Sequence, residues 1–352
     1  MQVGLVTAQK TVSLLDMPTP EPSPEKAVVD ISYCGICGTD LHAFLSGDPY
    51  NPAICGHEWV GNISAIETPA SNHSGLKEGD RVAIGVAAAC GQCGTCRRGD
   101  ASHCEISFAG AIGVHPLAAP HGGFASAIAF DVARLYGVDK NLSDEEAALM
   151  EPVAVAVHAV RRTPMRLGDV AIVIGAGPIG LLVMQAAKAA GAGHVCVLEP
   201  SPERQKIASQ LGADHVLNPR DYPTSAALKE ALAPVIGNNG SADIVFECAG
   251  IPQTIQTAVD LSRRGGTVSL IGVPSLPAEI NAASWLIQEI NLATSLAYLH
   301  EDFHLSQSLV ASGRINAAAL HTSTVPLNDI QSAFHRLAEN PTEVKILVTP
   351  QA

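Results

Sequence analysis

Between Gly168 and about Leu296 six short apolar runs recur, separated by stretches of helical character: "VAIVIGAG", "HVCVLEP", "ADHVLN", "DIVFECAG", "GTVSLIG" and "INLATSL". Runs of this length that are apolar throughout belong to strands covered on both faces. Their alternation with helices predicts an α/β domain with a parallel, doubly wound sheet. Val170 to Ala187 carries no charge and matches a membrane span in length, but Gly175-Ala176-Gly177-Pro178 would break a spanning helix near its middle. The stretch therefore reads as a buried strand, a tight turn and a helix start.

The flanks have a different character. From Met1 to about Val132 the chain is rich in Gly, Pro and Cys, and short β-like runs such as "AVVDISY" (Ala27–Tyr33) and "DRVAIGV" (Asp80–Val86) are broken by turn residues. This pattern predicts a compact β-rich domain. After Tyr298 the character is mixed, and "VKILVTP" (Val344–Pro350) reads as a strand that can rejoin the first domain. With 352 residues, two hydrophobic cores are expected. The division predicted is 1–152 with 297–352, and 153–296.

Composition narrows the partners. A content of 47% hydrophobic and 16% charged residues excludes disorder, and a formal charge of −13 repels nucleic acid and anionic membranes. A phosphate-bearing ligand must be held locally, by backbone amides and helix ends. The N-terminus shows no basic head before an apolar run, so a soluble cytoplasmic protein is expected. In that compartment nine cysteines point to thiols and metal sites before disulfides.

Gly175, Gly177 and Gly180, with Pro178 and Ile179 between the last two, form G-A-G-P-I-G directly after a strand-like run. The first glycine permits the turn, the second lets a pyrophosphate approach, and the third lets helix and strand pack closely. Pro178 suits a first helical turn, whose N-terminus supplies an anion site. Glu199 ends the next strand at the distance expected of a ribose-binding acid, which would repel a 2′-phosphate and selects NAD. Arg204 is the counter-argument, since an arginine here can hold that phosphate.

Cys90, Cys93, Cys96 and Cys104 have the spacing C-x₂-C-x₂-C-x₇-C on a Gly-rich loop. Four thiolates suit a closed structural zinc site, with an iron–sulfur cluster as the competing reading. A catalytic zinc needs about three protein ligands and an open position. Cys37, His57 and one glutamate, Glu58 or Glu151, would provide that. Cys34 precedes Cys37 in "CGIC", which in isolation also fits a redox pair.

Taken together, C-G-I-C-G-T-D-L-H, G-H-E, the four-cysteine loop, E-P-V-A-V-A-V-H-A, G-A-G-P-I-G and E-V-K-I-L-V resemble the zinc-dependent medium-chain alcohol dehydrogenases over essentially the full length. The resemblance implies a GroES-like catalytic domain, a Rossmann domain, and a catalytic zinc in the cleft between them. It places Cys37, His57 and a glutamate at the zinc, Thr39 and His42 in a proton relay, and Asp40 beside the zinc histidine. Cys34, Cys55, Cys196 and Cys248 are then core residues. Glutamate at 151 is similar to the sorbitol dehydrogenase branch. A site binding Glu58 and Glu151 at once would be anionic, so one inner-sphere glutamate at a time is expected. The family also implies that Cys248–Gly250, Ile271-Gly272-Val273 and Leu296-Ala297-Tyr298 line the cofactor, and that the chain forms a homodimer or homotetramer.

The reaction implied is hydride transfer between an alcohol and NAD, with the alcohol proton leaving through Thr39 and the ribose to His42. Sorbitol dehydrogenases carry an arginine before the last tyrosine, where this chain has Ala297. A secondary alcohol or vicinal diol of the butanediol type is therefore expected, with polyols, cyclitols and L-threonine as alternatives. Some members of the superfamily are structural proteins, and others are zinc-free quinone reductases. The filled ligand positions oppose both.

Overall fold

A computed structural model describes residues 1–48, 50–67, 75–86, 89–111, 119–340 and 342–350. The chain divides into two compact units. One comprises Met1–Glu151, Leu299–Gln307 and Leu320–Ala352, the other Pro152–Tyr298 and Ser308–Ala319. The sequence division assigned 308–319 to the first unit. In the fold this segment belongs to the second, where the Asn316 N–H donates to Gln185 Oε1 at 2.7 Å.

In the second unit the six predicted strands form one parallel sheet among the described residues. Its order is His215–Leu217, His194–Leu198, Val170–Ile174, Ala242–Glu247, Ser262–Leu270, Asn291–Thr294. In chain order that is 3-2-1-4-5-6, the doubly wound Rossmann arrangement. Ile172, Cys196, Val245 and Val268 are fully buried, or nearly so, as strands covered on both faces require. The helix Pro178–Ala189 runs from Gly177, with Pro178 at its first position, and buries Gly180 through Ala187.

In the first unit a seven-stranded sheet has the order His321–Pro326, Lys345–Thr349, Lys26–Gly35, Glu58–Ala65, Arg81–Ile84, Leu135–Gly137, and Ala127–Asp131 also pairs with Lys26–Gly35. The predicted C-terminal strand does rejoin this unit. It enters as Lys345–Thr349 between two other strands. The core holds Phe44, Trp59, Phe124, Phe130 and Phe334, with Trp59 edge-on to Phe130 at 5.1 Å between ring centroids. Cys34, Cys55 and Cys196 are buried as expected, while Cys248 lies just past its strand and is half-buried. Among the described residues no helix is long and apolar enough to cross a membrane.

Candidate metal centres and nucleotide site

Two neighbouring antiparallel strands bring the metal candidates together. Cys37 follows the end of Lys26–Gly35 and precedes the helix Gly38–Ser46, and His57 and Glu58 stand at the start of Glu58–Ala65. Gly35 pairs with Glu58 in the register, so these termini coincide. One donor atom from each of Cys37, His57 and Glu58 lies within 4.8 Å of the others. Thiolate, imidazole and carboxylate form a donor set that fits zinc.

His57 is held by its Nδ1, 2.7 Å from the carbonyl of Ile54, which leaves Nε2 for a metal. Asp40, expected beside this histidine, stands there, with its Oδ1 at ion-pair distance, 3.9 Å from Nδ1. Its carboxylate is fully buried and accepts from Tyr50 Oη at 2.6 Å and from the N–H groups of Cys37 at 3.0 Å and Gly56 at 3.2 Å. Asp40 therefore fixes the backbone on both sides of the site, and Ile54 orients the ring. Burial alone would favour a neutral His57. The charges of Cys37, Asp40 and Glu151 outweigh it and push its pKa well above the ordinary value. A metal arriving at this histidine must displace a proton.

Lys345 is the functional residue that sequence reading missed. Its Nζ donates to Glu58 Oε2 at 2.6 Å and to the Ile36 carbonyl at 2.9 Å, and each side chain of the ion pair is only 2% exposed. Lys345 and Glu58 lie on the two strands flanking Lys26–Gly35, and Gly35 leaves the gap through which they meet. A Cβ there would stand 2.5 Å from Glu58 Oε2. Burial disfavours the ammonium, but Glu58 more than offsets this and raises its pKa. The available signal was a lone lysine inside the apolar run "VKILV", since such a residue is buried only when paired.

Glu151 lies in the first turn of the helix Met150–Arg162, outside the set of three. Burial pushes its pKa up to about 7. His57 opposes the rise and Glu58 adds to it. The expectation of one inner-sphere glutamate rested on an anionic site, but the buried Lys345 cation cancels one carboxylate. That charge argument for excluding the second glutamate therefore falls away. Thr39, in the helix that follows Cys37, has its Oγ1 3.8 Å from Cys37 Sγ, and His42, three residues further on, is exposed.

The second cluster holds Cys90, Cys93, Cys96 and Cys104, each with its sulfur within 4.8 Å of the others. The sulfurs of Cys93 and Cys104 are 3.9 Å apart, close to the ~3.8 Å edge of a tetrahedron with Zn–S bonds near 2.3 Å. The N–H groups of Cys90 and Ser107 point at Cys104 Sγ, and that of Cys93 at Cys90 Sγ, all at 3.3–3.4 Å. The Thr95 hydroxyl and the Cys96 amide lower the Cys93 thiol to about 5. Such donors stabilise thiolates and fit a closed structural zinc site.

In the second unit the cofactor candidates other than Arg204 stand at the C-terminal ends of strands: the glycine loop after Val170–Ile174, Glu199 after His194–Leu198, Cys248–Gly250 after Ala242–Glu247, Ile271-Gly272-Val273 after Ser262–Leu270, and Leu296-Ala297-Tyr298 after Asn291–Thr294. This is the edge at which doubly wound sheets bind ligands. Gly175 has φ +96°. A Cβ on Gly180 would collide with the Gly175 carbonyl, whereas one on Gly177 would meet nothing within 4 Å. Glu199 is nearly buried. Its carboxylate accepts from the Ala176 N–H at 2.7 Å and the Ser201 N–H at 2.9 Å, so it also ties the glycine loop to the next strand. Arg204 lies in the first turn of the helix Pro202–Gln210, its N–H 3.4 Å from Ser201 Oγ. Ile271 and Gly272 donate their N–H groups to the Glu247 carbonyl at 3.0 and 2.9 Å, and Tyr298 is buried.

A Rossmann sheet in one unit and sulfur, nitrogen and oxygen metal donors in the other define a nicotinamide-linked zinc oxidoreductase. Residues 23–140 match the alcohol dehydrogenase GroES-like domain, and residues 178–312 match the zinc-binding dehydrogenase domain. The chain is 31% identical to sorbitol dehydrogenase of Bacillus subtilis (99% of this chain, 97% of that enzyme). It is 32% identical to (R,R)-butanediol dehydrogenase of the same organism, with 97% of each covered. The crystal structure of 2R,3R-butanediol dehydrogenase from Bacillus subtilis superimposes with a TM-score of 0.82, at 31% identity over 99% of each chain. The chain belongs to the zinc-dependent medium-chain alcohol dehydrogenase family. It is an NAD-dependent alcohol or polyol dehydrogenase, with zinc and the nicotinamide as its cofactors.

Proposed function

We propose that the enzyme interconverts a secondary alcohol or vicinal diol, of the butanediol type, with the matching ketone. The observation that carries this reading is Ala297. The resembling sorbitol dehydrogenases place a polyol-binding arginine there, whereas this chain offers a methyl group on a left-handed backbone, φ +56°. A substrate with many hydroxyls loses a partner at that point, and a smaller, more apolar one does not. Cys37, His57 and Glu58 would hold the catalytic zinc, with Glu151 nearby to exchange with Glu58 or act through water. When bound, zinc would polarise the alcohol oxygen and NAD would accept the hydride. Thr39 receives the alcohol proton and His42, exposed on the same helix, returns it to solvent. Glu199 supports NAD over NADP, because its carboxylate would repel a 2′-phosphate.

A polyol reading is supported by the sorbitol dehydrogenase relative. Absorbance of the reduced nicotinamide separates the two, with NAD or NADP and a panel of 2,3-butanediol isomers, sorbitol, xylitol, inositols, L-threonine and simple secondary alcohols. Turnover of the diols with NAD is the expected result. Preference for sorbitol would show that other side chains replace the missing arginine, and the diol reading would be wrong.

A further inference from the structure

Residues 300–304 read His-Glu-Asp-Phe-His, an H-E-x-x-H pattern, and they open the helix His300–Ala311. On a helix this spacing places both histidines on one face, where they can share a metal ion. The structure bears this out. Both rings are exposed, and their Nε2 atoms share a hydrogen bond at 3.0 Å, so a metal ion would take the place of the shared proton.

The surroundings keep the pair in place. The Tyr136 ring stands edge-on to His300 at 4.7 Å and stacks on His304 at 6.2 Å between centroids. Phe303, fully buried, anchors the turn between them. Asp302 is turned into the unit, accepting from the Leu299 N–H at 2.8 Å, so it does not compete for the exposed face.

The donors also bear on the ion. Imidazole nitrogens suit nickel and copper as well as zinc, and nickel and copper accept two adjacent ligands in octahedral or square-planar geometry. Among the described residues the groups of three or more metal donors are the two cysteine-containing clusters, so the site is argued from its two imidazole nitrogens. Hydrolytic chemistry of the kind this motif serves elsewhere needs three ligands and is not inferred.

We propose that His300 and His304 form a third, bidentate metal site, sharing no residue with the other two, for a divalent ion of tetragonal or octahedral preference such as Ni(II) or Cu(II). Ni(II) avoids copper's oxidation of thiols and serves as the probe. Calorimetric titration of NiCl₂ into untagged, zinc-loaded, full-length protein should show one Ni(II) bound per chain, with both zinc ions retained by elemental analysis. His300→Ala and His304→Ala should each weaken that binding by about tenfold or more, because the second imidazole acts at high effective concentration. Both positions are exposed, and equal melting temperatures would confirm that the variants fold. Unchanged affinity in both variants, weakening in only one, release of zinc on titration, or no Ni(II) bound by the wild type would each overturn the proposal.

Discussion

At Glu58 and Lys345 an ion pair has almost no water around it, so each charge depends on the other. Removing one partner of such a pair typically costs about 3–5 kcal/mol, because the remaining charge is left buried and unpaired. Lys345→Met is therefore expected to lower unfolding stability by that order in urea titrations and to reduce zinc at the Cys37–His57–Glu58 site. Unchanged stability would mean that Glu58 finds another partner. Glu151 gives a test with a defined sign. Its pKa rises from 4.5 to about 7 in the folded protein, so between those values the folded state holds a proton that the unfolded state has lost. Its contribution is full below about 4.5 and is lost as pH rises through about 7, to the extent of ~3 kcal/mol. Metal-free protein should thus lose stability across that window, and Glu151→Gln, which mimics the protonated acid, should flatten the profile. An identical slope in the variant would assign the effect to another group.

Among the elements, the glycine loop separates packing from ligand binding. Gly180 is pressed against the Gly175 carbonyl, while Gly177 faces open space at φ −69°, which alanine tolerates. Gly180→Ala should destabilise the second unit by about 2 kcal/mol or more, since backbone must move to admit the methyl. Gly177→Ala should leave the melting temperature nearly unchanged yet weaken NAD binding at least tenfold by fluorescence titration, as the methyl fills the approach of the pyrophosphate. Equal losses of stability in the two variants would contradict this division of roles. The loop was legible in the sequence because its constraints are local: a turn, a helix start and a close approach within six residues. The second role of Glu199, tying the loop to the next strand, depends on a contact 23 residues away and was not.

For the whole molecule the C-terminal strand matters more than its length suggests. Lys345–Thr349 lies between His321–Pro326 and Lys26–Gly35 and carries the partner of Glu58. Truncation after Asn340 should therefore abolish the first unit's cooperative melt and its catalytic-site zinc, although few residues are lost. A truncated chain that kept both would show that the sheet closes without this strand.

The sequence by itself determined the GroES-like and Rossmann fold class, the six parallel strands, the glycine turn before the helix Pro178–Ala189 and the two groups of metal-ligand types, because each is written in short-range periodicity or spacing. Only the tertiary structure decided what those residues lean on. The Ile54 carbonyl orients His57; Lys345 neutralises Glu58 across a glycine gap; 308–319 belongs to the second unit. The physical reason is the same in each case. The charge and hydrogen bonds of a buried group are set by strands that meet in register from distant parts of the chain, and one strand's sequence does not record its neighbours.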